Sequence, residues 1–123
     1  VLSREQFLTS AQPRSKECEV PGLGTIAVRE ITYREQRAYL ELSRSDDAEQ
    51  RRNAIPWVIA QAVLDKPGGG RLFTDKDIHA LGELQAETIA AVFLEIMRFS
   101  GADGEAVARE GESSAEIPTP ASS

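Results

Sequence analysis

The run "IPWVIAQAVL", residues 55–64, decides the fold. At 100° per residue, Trp57, Val58, Ile59, Val63 and Leu64 spread around the whole barrel of a helix. A helix that is apolar on all sides is buried, so residues 55–64 are read as the centre of the core. Pro56 either begins this helix at its first position or kinks a longer one. The uncharged stretch "NAIPWVIAQAVL" is the longest of its kind here, and it falls short of the ~18 residues a membrane span requires.

On the C-terminal side of the run, "DKPGGGR" is a loop by composition, and "RLF" reads as a short extended piece. Thr74 then caps a helix, with Asp77 in the capping-box position and Asp75 favourable at the positive helix end. Ile78 and Leu81 are expected to face inward and Gly82 to mark the exit. From about Ala86 to Phe99 a second helix gathers Ile89, Val92, Phe93, Ile96, Met97 and Phe99 within one arc. Glu87, Glu95 and Arg98 lie opposite, and Gly101 suits the C-terminal stop. This stripe is read as core, because a small domain needs every apolar face it has; the alternative is a groove for a partner. Leu94 sits off the stripe among polar neighbours and is a candidate partner contact.

On the N-terminal side, "RSDDAEQRRN" is a charged loop or exposed helical turn. Before it, Thr32 caps a helix over residues 33–44, with Glu35 completing a capping box. Ala38, Tyr39 and Leu42 share one face of it, and Tyr33 and Leu40 another. "ECEV" and "TIAVREI" flank "PGLG" and predict a hairpin. Its buried face is expected to hold Ile26, Val28 and Ile31, leaving Thr25, Ala27 and Arg29 on the other. Ser3 with Gln6 opens a short helix over Phe7 and Leu8, ended by Pro13. The expectation is an α+β fold, an N-terminal β-hairpin packed on about four helices, forming one domain over residues 1–101. Residues 102–123 hold five acidic residues against one arginine, with Val107 and Ile117 as their only large apolar side chains, and are expected to be a disordered acidic tail.

Composition narrows the function. The chain has 123 residues and a net charge of −6, the wrong sign for non-specific nucleic-acid binding or for docking on anionic lipid. One cysteine, Cys18, makes no internal disulfide, which fits a reducing compartment. "VLSREQFLTSAQ" lacks an apolar h-region, so no secretory signal is expected. A start at Val1 fits an alternative bacterial start codon read literally, or a trimmed chain.

Chemistry finds little support. In "KPGGGR" the lysine precedes the glycines and no Ser or Thr follows, so it is a turn rather than a phosphate loop. "DKDIHALGELQAE" has Ala80 where a calcium loop needs glycine, and Glu87 falls one place late. His79 is the only histidine, too few ligands for zinc. Cys18 and His79 make a nucleophile and base only if the fold unites them, and nothing in the sequence positions a third group. The scattered carboxylates are read as solvated surface. "EQRRN", beside "SDDAE", is no nucleic-acid platform. Catalytic residues, metal ligands and cofactor sites are therefore all expected to be absent.

The order of the parts resembles the tail assembly chaperones of long-tailed bacteriophages and prophages. The features that carry this are "LSREQFL" at the start and "VPGLG" leading into "VREIT". They continue with a glycine turn before "LFTDKDIHALGEL" and a last amphipathic helix ending near glycine, over roughly residues 2–101. Family members often carry a charged or longer segment before the buried helix; here Pro56 interrupts it. The resemblance implies a non-enzymatic assembly factor in the cytoplasm of the bacterial host. Such a protein holds the tape measure protein soluble, helps recruit tail tube protein around it, and is usually absent from the finished virion. In many phages a ribosomal frameshift near the end of the gene adds a longer form. The resemblance is also compatible with homo-oligomers, since many copies must coat one long partner. Phe93, Leu94, Met97 and Phe99 on the last helix are the candidate partner contacts. Competing readings are a head–tail connector or minor tail component, and a small cytoplasmic enzyme dependent on Cys18 or His79.

Overall fold

The computed structural model of the protein describes residues 1–101, and its central element is the apolar run. Helix α4 (Ala54–Ala62) buries Ala54, Pro56, Val58, Ile59, Ala60 and Ala62. Pro56 neither opens the helix nor kinks it. It occupies the third position of the first turn, where its missing N–H would have had no intrahelical acceptor anyway. The next residue resumes the ladder, Trp57 N donating to Asn53 O at 2.9 Å.

The helix expected over 55–64 stops two residues early. Val63–Leu64 is extended and forms strand β3, which pairs antiparallel with β2 (Gly24–Arg29) through Val28↔Val63 and Ala27↔Leu64. A hairpin with an open edge gains ladder bonds from this switch, and tertiary pairing outweighs the local helical pattern. Strand β1 (Ser15–Val20) completes a three-stranded sheet in the order β1-β2-β3, in register from Ser15↔Arg29 to Val20↔Gly24. The Pro21–Leu23 turn closes with Leu23 N to Val20 O at 2.9 Å and uses φ of 80° at Gly22.

Ala27, expected on the open face of β2, is buried. Its short side chain lies between the longer ones of Glu17 and Leu64 on the neighbouring strands, which cover it.

Among the described residues six helices accompany the sheet: α1 (Arg4–Ser10), α2 (Tyr33–Ser43), α3 (Ala48–Arg52), α4, α5 (Ile78–Leu81) and α6 (Ala86–Phe99). Against the expected four or so, the charged "AEQRR", read as a loop or exposed helical turn, is a short helix of its own, and the expected helix after Thr74 is a single turn, α5, entered through a 3-10 turn at Asp75–Asp77. All three capping boxes form, at Ser3–Gln6, Thr32–Glu35 and Thr74–Asp77. On α2 the buried residue is Leu40, while Tyr33, two turns earlier on its side, is 74% exposed. On α6, Val92, Phe93, Ile96 and Met97 enter the core, and the Phe93 ring lies 5.3 Å from that of Tyr39. Ile31 N donates to Ser100 Oγ at 3.0 Å, tying the end of α6 to the exit of β2, and Gly101 follows with φ of 77°. The expected acidic tail, 102–123, lies outside the described residues.

Candidate functional site, an apolar groove

Three loops that look unrelated in sequence meet over the core. The hairpin turn supplies Leu23, the segment after the glycine loop supplies Leu72 and Phe73, and the α5–α6 connection supplies Leu84. Each is held by its own local bonds. Leu72 N donates to Val63 O at 2.9 Å, and Arg71 beside it reaches Ala60 O at 2.8 Å and Asp75 at 2.9 Å. Leu84 N donates to Leu81 O at 3.3 Å at the exit of α5.

Between these loops lies an open groove of about 270 Å³, floored by Ile59, Val63, Leu81 and Val92. Ile26 and Ile89 form its walls, and among the described residues Thr88 is its one polar lining residue. The rim leucines Leu23, Leu72 and Leu84 are 53%, 52% and 56% exposed. Covering the open half of each is worth about 1 kcal/mol, so about 3 kcal/mol together, or roughly a hundredfold in affinity. That suffices to make the groove a contact site but not to bind a partner tightly by itself.

The four residues singled out on α6 lie elsewhere. Phe93 and Met97 are 7% and 0% exposed and belong to the core. Phe99 is half-buried beneath Arg14 and Lys16, whose cationic groups sit 5.5 Å and 4.8 Å from its ring centre. Leu94 is half-buried in a separate hollow with Pro21, Ala91 and Arg98. The rim residues Leu23, Leu72 and Leu84 escaped sequence reading because each is a lone leucine in a loop, and nothing local says that the three loops meet.

Cys18 and His79 have different surroundings. Cys18 is half-buried on β1, and burial, then the Glu95 carboxylate, pushes its thiol up. His79 projects from α5 with Glu83 at 3.9 Å. The glycine loop is a turn in which Gly68 N donates to Ser15 Oγ at 2.7 Å. Asp77 accepts from Thr74 N at 2.8 Å as a helix cap. Asp75 is held below the usual carboxylate range by the hydrogen bond from Arg71, then by that from Gln61. Among the described residues, no three His, Cys, Asp or Glu side chains gather as a metal site, and no helix is long and apolar enough to cross a membrane. Comparison with protein-family models, curated proteins and solved structures returns no match.

Proposed function

We propose that the protein is a bacteriophage tail assembly chaperone. It holds the tape measure protein and helps recruit tail tube subunits around it in the cytoplasm of the bacterial host, making and breaking no bond itself. One observation carries this reading: separate segments behind the family resemblance converge on one apolar groove. "VPGLG" contributes Leu23, "RLFTD" contributes Leu72 and Phe73, and "HALGEL" contributes Leu81 and Leu84. A groove lined in this way accepts the apolar face of an amphipathic helix, and a tape measure protein is a long helical chain.

The test is co-purification with fragments of the tape measure protein encoded in the same genome. Wild-type protein is expected to retain at least one helical fragment. Leu84→Glu is expected to weaken that binding about tenfold or more while leaving the urea midpoint unchanged, because the side chain is exposed before binding. Failure of the wild type to bind any fragment, or its stoichiometric presence in purified virions, would overturn the reading in favour of a connector or tail component.

A further inference from the structure

The groove over the core is open among the described residues, with three exposed leucines on its rim. Contiguous apolar surface of this kind calls for a cover. Residues 102–123 hold two large apolar side chains to provide one, Val107 and Ile117.

Reach separates the two. The described chain ends at Gly101, just past α6, and Leu84 lies about 25 Å back along that helix. Val107 extends at most about 20 Å from Gly101, short of the far rim. Ile117 extends up to about 50 Å, ample for a path around the surface.

Chemistry selects the same stretch. Glu83 and Glu87 flank Leu84 and repel Asp103, Glu105, Glu110 and Glu112 in the intervening chain, whereas "IPTP", residues 117–120, carries no charge. Pro118 and Pro120 favour extended backbone at their own and the preceding positions, which lowers the ordering cost of docking. Glu116 projects to the opposite side of an extended chain from Ile117, so it stays in water when Ile117 enters. Phe73 gives the groove an aromatic lining residue, the feature on which proline-rich segments dock.

The acids before this stretch meet a favourable surface of their own. Arg98, Leu94, Ala91 and Glu87 run along one side of α6 toward Leu84. The Arg98 side chain is 63% exposed and shares Glu95 with Lys16, at 3.6 Å and 3.9 Å. One carboxylate between two cations leaves positive charge where the path begins. Finally, a groove that holds a free partner weakly suits a tethered one, because a segment on the same chain arrives at an effective concentration of about millimolar.

We infer that residues 117–120 dock in the Leu23–Leu72–Leu84 groove of their own molecule, with Ile117 entering between the rim leucines. The segment is then a built-in competitor that any other occupant must displace. The inference concerns the chain's own tail and stands whether or not the groove serves the tape measure protein.

Methyl NMR of the full chain tests it. Ile117→Asp is expected to shift the Leu23, Leu72, Leu84 and Ile89 methyl resonances while leaving those of buried Leu40, Ile96 and Met97 in place. Conversely, Leu84→Glu is expected to move the Ile117 methyl to the position of a free isoleucine and to abolish its cross-relaxation with Leu23. Both changes are expected to be the same at about 50 μM and about 1 mM protein, because the contact is within one molecule. Rim resonances indifferent to Ile117→Asp, an Ile117 methyl indifferent to Leu84→Glu, or effects that fade on dilution would each overturn the inference.

Discussion

Glu35 serves two partners at the head of α2. Its carboxylate accepts from Thr32 N at 3.0 Å, completing the cap, and from both terminal nitrogens of Arg29 at 2.8 Å. Burial taken alone pushes this carboxyl up, but the hydrogen bonds from Arg29 and Thr32 together outweigh it and hold the group below its usual range. A carboxylate depressed in the folded state contributes stability above its unfolded value near ~4.3, and that contribution is lost as pH falls through the folded value. Glu35→Gln keeps an acceptor for the cap and removes the charge facing Arg29. It is expected to cost about 1–2 kcal/mol at neutral pH, with the difference shrinking below about pH 4. Urea unfolding at neutral and acidic pH measures both, and an equal difference at the two would refute the ion-pair account. The capping half of this site is legible in "TYRE" because Thr32 and Glu35 lie within one turn. The Arg29 half is not, because it depends on the angle at which β2 hands over to α2.

Helix α6 has a clear division of labour. Ile96 and Met97 are fully buried, whereas Leu94 stands half out in the hollow beside Pro21. Ile96→Ala and Met97→Ala are each expected to lower stability by about 2–5 kcal/mol, and Leu94→Ala by about 1 kcal/mol or less. Urea denaturation decides between them; equal losses at Leu94 and Met97 would contradict the burial described. The stripe and its bounds, Ala86–Phe99, are readable from period and flanks alone. The end of α4 is not. "AVL" continues a helical pattern as well as it begins a strand, and only the unpaired edge of β2 settles it.

At the scale of the whole molecule, the groove proposed to take a helix of the tape measure protein has three rim leucines that are exposed before binding. A fragment that binds the folded state stabilises it by mass action, so it is expected to raise the urea midpoint of the wild type in proportion to occupancy and to leave that of Leu84→Glu unchanged. Equal shifts in the two proteins would place the fragment away from the groove. Helix caps, helical period and the turn glycines arise between residues a few positions apart, so the α+β character, the hairpin and most helix boundaries were already contained in the amino-acid order. The third strand joins Val28 to Val63, and the groove joins Leu23, Leu72 and Leu84. These meetings close loops of dozens of residues, and their free energy comes from burial and pairing that exist only once the chain has folded around α4.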